Sequence, residues 1–382
     1  MEFELTETQK LIRDTARTFA RDVVAPRARD TDRLERFPAD VYAQMGELGL
    51  LGVNVPEEYG GAGAGVVSYA LAMMEISQAC ASTSVGMAVT NMSSELICQF
   101  GTEEQKRKYV PDLVNGKLVA GAFALSEPHA GSDPGAGKTT AVKKGDRWIL
   151  NGTKQWITSG QYAGVIVVWA RTSNDGNKGL SCFLVEKGTP GLSYSKPEDK
   201  MGLRGSNTVQ VILENVELAD AQLLGKPGDG FKLAMIALDG GRIGIASQAC
   251  GVARAAIEAS IRYSKERKAF GQAIGDFQAL RFMMADMATQ QQAAELLTLR
   301  AAFLKDSKRP FSREASMAKL FASEMSNRVC DKAVQIHGGY GYIDEFPVER
   351  YLRDARVQTI YEGTSEIQRL VIAREILKAA GA

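Results

Sequence analysis

The chain has 382 residues, of which 24% are charged and 45% are hydrophobic, and its formal net charge is +1. That length suits two or three domains, and the near-neutral charge gives no electrostatic footprint for nucleic acid or for an anionic membrane. The longest apolar runs are too short to span a bilayer and no signal peptide is expected, so neither nucleic acid nor a membrane is predicted as a partner.

The N-terminal part, predicted to comprise residues 1–118, has the pattern of a helical domain. Apolar side chains recur at helical spacing over residues 12–23, and Pro26 is expected to end that helix. Similar spacing returns after Pro38 and again after the glycine-rich segment 60–65. The first domain is therefore predicted to be helical.

The central part, predicted to comprise residues 119–228, has short β-rich runs bounded by turn residues. Asn151-Gly152 is a strong signal for a two-residue hairpin loop, and Gly145-Asp146 is a weaker one. No helical runs intervene, which favours an antiparallel sheet or a small barrel over βαβ units. The predicted strands are Thr139–Val142, Trp148–Leu150, Val165–Ala170, Leu180–Glu186 and Val209–Leu213.

Helical patterning returns over the remaining part, predicted to comprise residues 229–382. A long apolar stripe over residues 280–304 has the spacing of a helix bundle, and a last helix is expected from about Ser365 to Lys378. Ser365 and Gln368 have capping-box spacing, which predicts that this helix begins at Ser365. The predicted fold is therefore α+β, with a helical domain, a central antiparallel β-barrel or sheet domain and a C-terminal four-helix bundle.

Two common nucleotide-binding motifs are excluded by their spacing. The segment Gly131–Thr139 resembles a phosphate loop, but five residues separate its first glycine from the Gly-Lys-Thr where the motif requires four. Neither 60–65 nor 338–341 completes a dinucleotide-binding fingerprint after a strand. Five widely spaced cysteines predict free thiols in a reducing, cytoplasmic compartment, and only two histidines leave a metal site short of ligands.

Two segments of the central part could face a ligand. Residues 123–133 combine small residues with the hydroxyls of Ser126 and Ser132, which can approach a polar heterocycle or a thioester. Trp156 places a flat ring near the hydroxyl of Thr158, which suits the edge of a planar cofactor. A strand that ends in a turn and a core tryptophan are the ordinary alternatives, and these residues alone leave them open.

Glu362 stands alone between Tyr361 and Gly363, just before the last helix. The glycine allows a sharp turn, and a carboxylate walled by apolar groups would have its charged form disfavoured and could act as a general base near neutral pH. Thr364 and Glu366 would lie at a helix N-terminus, where free N–H groups can meet an anion or a ribose. A solvated loop glutamate is the alternative interpretation of Glu362.

Five segments, in order and in spacing, resemble the acyl-CoA dehydrogenase family, and the likeness covers essentially the whole chain. Within that family the chain is most similar to the short-chain, butyryl-type enzymes, on residues 238–246 and 361–374. The five segments are Phe123–Asp133, Trp156–Gly160, Arg267–Gly271, Gln335–Gly339 and Tyr361–Glu366.

The resemblance implies FAD bound without a Rossmann fold, in an oligomer, usually a homotetramer, whose subunits share each flavin. Thr364 and Glu366 fall where the family holds the adenosine half, and Arg267 suits the pyrophosphate because its guanidinium offers paired donors. The implied contacts to the subunit's own flavin are Leu125, Ser126, Ser132, Trp156 and Thr158, and those to a neighbour's flavin are Arg267, Phe270, Gln278, Gln335 and Gly339.

The same resemblance assigns the chemistry to Glu362, which would remove the C2 proton of a short-chain acyl-CoA while a hydride leaves C3 for the flavin. The backbone N–H of Glu362 and a flavin ribityl hydroxyl would stabilise the enolate oxygen. The product is a trans-2-enoyl-CoA, and an electron-transferring flavoprotein is the expected partner. For Arg242 a surface salt bridge is the alternative to a coenzyme A contact. The positions implied for the substrate are Ser132, Phe231, Asp239, Arg242, Tyr361 and Gly363.

Three departures sharpen what the resemblance implies. Some relatives carry the base on the helix near Gly241, where this chain has glycine, so Glu362 is the remaining candidate. Relatives that act on dicarboxylic acyl groups use an arginine that residues 81–88 lack, so an uncharged acyl chain is expected. His129 stands where many relatives have glycine, and it has no predicted role. Isobutyryl and 2-methylbutyryl substrates stay open, as do an oxidase and a non-catalytic acyl-CoA-binding helical oligomer.

Overall fold

The computed structural model describes residues 4–381, in which a helical group, a sheet and a second helical group follow one another. Most helices of the first group share one large apolar core with the long helices at the C-terminal end. The first group consists of α1 (Glu7–Phe19), α2 (Ala28–Arg33), α3 (Ala39–Glu47), α4 (Gly65–Ala79), α5 (Ala81–Phe100) and α6 (Glu103–Val114).

The sequence predicted that the first helix ends at Pro26, but the helical path continues beyond that residue. At Ala20 α1 gives way to a π-helical turn, and at Ala25 to a 3₁₀ turn that leads directly into α2. Pro26 lies in the first turn of this 3₁₀ segment, where a missing N–H needs no partner. The proline therefore changes the winding of the path instead of stopping it.

The middle of the chain forms one open, mixed sheet. In sequence order its strands are β1 (Ala120–Ala124), β2 (Thr140–Lys144), β3 (Arg147–Thr158), β4 (Ala163–Arg171), β5 (Leu180–Glu186), β6 (Leu192–Tyr194), β7 (Thr208–Ala219) and β8 (Leu223–Leu224). In space the order is β6-β7-β3-β2-β4-β5-β8, with β1 alongside β4.

The sheet corrects the prediction of an antiparallel sheet or barrel. Most neighbours are antiparallel, but β1 runs parallel to β4, and β2 makes one parallel pair with β4. Within residues 4–381 no ladder joins β6 to β8, so the sheet does not close. The spacing of the strands in the sequence could not predict the parallel pair, because the whole β2–β3 hairpin separates β1 from its partner β4.

The hairpin loop between β2 and β3 is Gly145-Asp146, the weaker of the two predicted turns. The stronger prediction, at Asn151-Gly152, is wrong because both residues lie inside β3. A Cβ at Gly152 would collide with Thr139, and the register between β3 and β7 shifts at this point. The glycine therefore permits a close backbone approach and a bulge, not a turn.

Strand β4 is buried on both faces and joins two apolar cores. Val167 and Trp169 pack with α5, α6 and the residues after Gly230, whereas Ile166 and Val168 belong to the core on the opposite face. The Trp169 indole also donates a hydrogen bond of 2.7 Å to the Gly230 carbonyl. The sheet thereby fixes the point at which the first long C-terminal helix begins.

The C-terminal group confirms the predicted helical domain. Helices α7, α8 and α9 pack against one another, while α10 and α11 lie against α9. No helix in residues 4–381 is long and apolar enough to cross a membrane. The group consists of α7 (Gly230–Glu266), the hairpin strands β9 (Lys268–Ala269) and β10 (Gln272–Ala273), α8 (Gln278–Asp306), α9 (Ser312–His337), α10 (Val348–Arg356) and α11 (Ser365–Ala379).

An ion pair is buried where β1 ends. Lys154 of β3 and Glu127 are each 2% exposed, and 2.8 Å separates Nζ from Oε1. Glu127 also accepts the backbone N–H groups of Lys138 (2.6 Å) and Thr139 (3.0 Å). Lys154 donates a second hydrogen bond of 3.2 Å to the Leu125 carbonyl. The pair therefore ties the loop that follows β1 to the sheet.

Glu127→Gln should cost about 3–5 kcal/mol of unfolding free energy, because it leaves the buried Lys154 ammonium without its counter-charge. The matched surface control, Glu7→Gln, breaks the exposed 2.9 Å pair with Lys10 and should cost less than about 1 kcal/mol. Urea unfolding followed by tryptophan fluorescence measures both variants. Small and equal losses would contradict a structural role for the buried pair.

Candidate active site

Glu362 lies on the turn that precedes α11, and its carboxylate points into the protein. A Cβ built on Gly241 of α7 would lie well inside van der Waals contact with Glu362 Oε2. The sulfur of Met92, from α5, is 3.1 Å from that same Cβ position. Oε2 is buried and has no hydrogen-bond partner among residues 4–381. The carboxylate is therefore enclosed by two helices and keeps one oxygen free.

This enclosure changes the acidity of Glu362. Burial raises the pKa of Glu362 to about 7, although the positive charges of Lys319 and Arg242 oppose the rise. A carboxyl group with this pKa is close to half ionised at neutral pH, the condition under which a general base works best.

The backbone of the turn is held in an unusual conformation. Glu362 has φ +50° and Gly363 has φ +89°, both in the left-handed region that a non-glycine residue rarely adopts. Lys319 Nζ donates to the Gly363 carbonyl at 2.7 Å. Gln368 Nε2 donates to the carbonyls of Glu362 (3.1 Å) and Gly363 (3.0 Å). Side chains from α9 and α11 therefore fix the turn against its strain.

The N-cap residue of α11 is Thr364, one residue before the predicted N-cap residue, Ser365. The Thr364 hydroxyl accepts a hydrogen bond of 3.3 Å from the backbone N–H of Ile367, and Ser365 is already helical and buried. The predicted capping box between Ser365 and Gln368 is wrong, because the Gln368 amide is used by the carbonyls of the preceding turn.

Arg242 is buried one turn after Asp239 on α7, and the two side chains form a salt bridge. The Arg242 guanidinium also donates to Ser316 at 3.2 Å, and Ser312 donates to Asp239 at 3.0 Å. Phe231, half-buried, lies about three turns before Arg242 and so faces the same side of α7. The salt bridge is present, but it is buried near Glu362 and not at the helix surface.

A bulge in β3 presents Trp156 to solvent. The register of β3 against β7 shifts between Lys154 and Ile157, and Trp156 has φ +62° with 62% of its surface exposed. The backbone N–H of Gln155 donates to the Ser126 carbonyl at 2.9 Å, so the bulge lies beside the end of β1. The indole is therefore a flat apolar surface held outward by the strand.

Four further residues that were predicted to contact the flavin lie at the end of β1, on the loop that follows it, or at the end of β3. Leu125 is buried in the same apolar cluster as Met92, the residue next to Gly241. Thr158 is half-buried at the end of β3, Ser126 is half-buried after β1, and Ser132 is exposed on the following loop. One apolar cluster thus contains both Leu125, at the end of β1, and Met92, which lies beside Gly241 as Glu362 does.

A second set of predicted residues lies around a surface cavity of about 400 Å³. Arg267 and Gly339 line this cavity, and the Arg267 guanidinium lies 5.6 Å from the centre of the Tyr340 ring. Phe270, at the β9–β10 turn, is 96% exposed. Gln278 and Gln335 are exposed at the ends of α8 and α9.

Thr364 and Glu366 line a separate cavity of about 430 Å³, together with Arg356 and Glu324. This cavity shares no lining residue with the one that contains Arg267. The predicted cofactor residues therefore divide between distinct surfaces of a single chain.

Sequence reasoning missed the residues that support Glu362. Lys319 lies on the core-facing stripe of α9, between the buried Ala315 and Ala322, and a lysine in that position was the available signal. Met92 carried no signal, and the spacing of Gln368 predicted a capping box instead of its contacts to the turn, because both roles depend on how α5 and α11 meet the turn.

Three family models match the chain in order. They are acyl-CoA dehydrogenase, N-terminal domain, over residues 6–117, the middle domain over 122–216 and the C-terminal domain over 228–377. The short-chain specific mitochondrial acyl-CoA dehydrogenase of Bos taurus is 51% identical over 378 residues, which cover 98% of this chain and 92% of the bovine protein.

Solved structures agree with the family models. Butyryl-CoA dehydrogenase from Megasphaera elsdenii superposes with a TM-score of 0.97 and 41% identity, over 99% of this chain and 100% of that one. A chain in a structure described as an electron transferring flavoprotein of Acidaminococcus fermentans has a TM-score of 0.97 and 47% identity, with the same coverage. The chain therefore belongs to the acyl-CoA dehydrogenase family and is an FAD-dependent oxidoreductase.

The described side chains fit FAD. An outward indole at the β3 bulge suits a flat ring, and the guanidinium in the first cavity suits phosphate oxygens. The buried carboxylate oxygen of Glu362, with no partner of its own, is left for the reacting group. Trp156, Arg267 and Glu362 thus offer a flat ring, a positive charge and a buried carboxylate, the groups that such a site would use.

Gly241→Ala should slow anaerobic flavin bleaching by an acyl-CoA about 10- to 100-fold, because the new methyl group would occupy the place of the Glu362 carboxylate. In the neighbouring control, Gly240→Ala, the new methyl group crowds only the far end of the flexible Lys305 side chain and meets Glu95 at an ordinary contact distance, so the rate should stay within about twofold of wild type. Stopped-flow absorbance measures both rates. Wild-type bleaching by Gly241→Ala would show that the carboxylate works from another position.

Glu362→Gln should make the protein more stable at pH 8 and change its stability by less than about 1 kcal/mol at pH 5. The folded protein holds the Glu362 proton more tightly than the unfolded chain, so stability is lost as the pH rises from 4.5 to about 7. The gain at pH 8 should be about 3 kcal/mol, seen as a higher thermal midpoint.

Glu366→Gln is the matched control for this stability test. Glu366 is exposed four residues further on, and hydrogen bonds at the helix N-terminus lower its pKa, so its replacement should bring no gain at pH 8. A gain for Glu362→Gln that is equal at both pH values would contradict the raised pKa.

Proposed function

We propose that this protein oxidises a short-chain acyl-CoA to the trans-2-enoyl-CoA, with Glu362 as the base. The observation that carries the proposal is the enclosed carboxylate, whose free Oε2 lies against Gly241. The names of the bovine and Megasphaera relatives support a short acyl chain.

The chemistry needs a base of moderate strength beside C2, because the α-proton of a thioester is weakly acidic. Glu362 accepts that proton on Oε2, and its raised pKa makes it a stronger base than an ordinary carboxylate. When bound, FAD supplies the acceptor for the hydride that leaves C3. The backbone N–H of Glu362 has no acceptor among residues 4–381 and is available to the enolate oxygen.

The acyl end of the proposed pocket is formed by side chains that carry no free positive charge. Helix α5 contains no lysine or arginine, and Lys305, which reaches towards Gly240, is paired with Glu95 of α5 at 2.5 Å. The Tyr361 hydroxyl already donates a hydrogen bond to Gln248 Oε1. These contacts support an uncharged acyl chain, with Phe231, Asp239 and Arg242 towards the coenzyme A portion.

A homotetramer that shares each flavin between subunits is part of the proposal. The two separate cavities and the exposed Phe270 support it, since the implied flavin contacts lie on distinct surfaces of one chain. An electron-transferring flavoprotein is the proposed electron acceptor, and the Acidaminococcus structure supports this choice. Other large apolar side chains on the C-terminal helices are also exposed: Phe282, Leu296, Phe303, Leu370, Ile376 and Leu377.

Glu362→Gln should slow anaerobic bleaching by butyryl-CoA about 10²- to 10⁴-fold, because the amide cannot accept the C2 proton. In the wild type, the bleaching rate at low acyl-CoA should rise about tenfold per pH unit and level off above about pH 7, where Glu362 is ionised. Stopped-flow absorbance measures both, over a series from about pH 5.5 to about pH 9 that spans the bend in the profile.

A panel of acyl-CoAs and acceptors separates the alternatives. Butyryl-CoA as the fastest substrate supports the proposal, whereas isobutyryl- or 2-methylbutyryl-CoA as the fastest would assign a branched-chain dehydrogenase. Peroxide release with oxygen as the sole acceptor would indicate an oxidase. An unaltered bleaching rate in Glu362→Gln would remove this residue from the mechanism.

A further inference from the structure

Lys319 is a fully buried lysine in the middle of α9. Its ammonium donates to the Gly363 carbonyl at 2.7 Å. Burial lowers the pKa of Lys319 to about 8, and the negative charge of Glu362 opposes this fall. A lysine is seldom buried without a counter-charge, so its position next to the Glu362 turn calls for a physical reason.

The hydrogen bond of Lys319 reaches the turn and not a distant part of the fold. Gly363, its acceptor, directly follows Glu362, and the same carbonyl also accepts from Gln368 at 3.0 Å. Two helices therefore converge on one backbone oxygen behind the base. Because Glu362 is held at φ +50°, loss of either donor would let the turn relax and move the carboxylate away from Gly241.

Lys319 is also the least neutralised positive charge near the Glu362 carboxylate. The other one, Arg242, is engaged by Asp239 in a salt bridge and by Ser316. Both cations lower the pKa of Glu362 against the effect of burial, and Lys319 has the larger influence. Further ionisable groups around this centre are Asp239 on α7, Tyr69 on α4, Glu95 on α5, Asp354 on α10, Tyr361 in the turn and Glu366, Arg374 and Glu375 on α11.

We propose that Lys319 is a positioning residue, which fixes the Glu362–Gly363 turn through the Gly363 carbonyl and supplies the buried positive charge that favours the carboxylate form of Glu362. The inference rests on the proposed function, since it needs Glu362 to be the base. Lys319 is fully buried, and the hydrogen bond it donates ends on the Gly363 carbonyl. It acts on the reaction through the geometry and the ionisation of Glu362.

Lys319→Met removes the charge and the donor together. The pH midpoint of anaerobic bleaching by butyryl-CoA should move up by about one unit, so that the rate falls about tenfold near pH 6.5 and recovers to within about threefold of wild type near pH 9. Lys319→Gln keeps an N–H donor without the charge, and it should show the same midpoint shift with a smaller loss at high pH. The Gln variant also serves if the Met variant does not fold.

Lys200→Met is the matched control. Lys200 is a half-buried lysine that donates to the Ser206 carbonyl at 2.9 Å, and the charged groups around it are Glu35, Glu198, Asp199 and Arg204. Its loss removes the same kind of hydrogen bond away from Glu362. The bleaching midpoint of this variant should stay at the wild-type pH.

Thermal unfolding gives a readout that does not depend on turnover. At pH 5 Glu362 is protonated and the Lys319 cation is buried without a counter-charge, so Lys319→Met should lose little or no stability there. Near pH 7.5 the two charges stabilise each other, so the same variant should lose more. The difference between the two pH values is absent for a lysine that only fills space.

An unchanged bleaching midpoint in both Lys319 variants overturns the inference, whether the rate is normal or is reduced equally at every pH. Glu362→Gln, measured beside them, separates this failure from that of the proposed function. Normal bleaching by Glu362→Gln would overturn both, whereas lost bleaching in Glu362→Gln with an unmoved midpoint in the Lys319 variants would overturn only the role of Lys319.

Discussion

The close approach of the Glu362 carboxylate to Gly241 is the contact on which the rest of the site depends. No other residue type would leave room at that point of α7, since a single Cβ would overlap Oε2. The same approach buries Oε2, and burial raises the pKa of Glu362 to about 7. Position and basicity therefore have one cause, which is the tight packing of a loop against a long helix.

The fold stabilises this arrangement from several directions, and backbone strain accompanies several of the side chains predicted to form the site. Glu362, Trp156 and Phe270 all have positive φ, and each presents a side chain that regular backbone would aim elsewhere. Such residues persist only where their surroundings fix them. For Glu362 the fixing groups are Lys319 and Gln368, and for Trp156 it is a bulge in the long strand β3.

The order of helices and strands was predictable because apolar spacing along the sequence is a local property. Glu362 was identified because it stands alone between Tyr361 and Gly363, just before a predicted helix. The pairing of strands was not predictable, because it joins residues that are distant in the sequence. Asn151-Gly152 has the composition of a hairpin loop, yet Gly152 is needed because Thr139 passes close to β3. Lys319 was missed for the same reason, since the partner that makes a buried lysine tolerable is 44 residues away in the sequence.

The most direct measurement is an infrared pH titration of the resting FAD-containing enzyme, taken as the difference between wild type and Glu362→Gln. The carbonyl stretch of a protonated carboxyl group reports the ionisation of this one side chain, without any substrate. We expect a midpoint near pH 7, because the carboxylate is enclosed against Gly241. A midpoint near the ordinary glutamate value of about 4.3 would show a solvated side chain and would contradict the account.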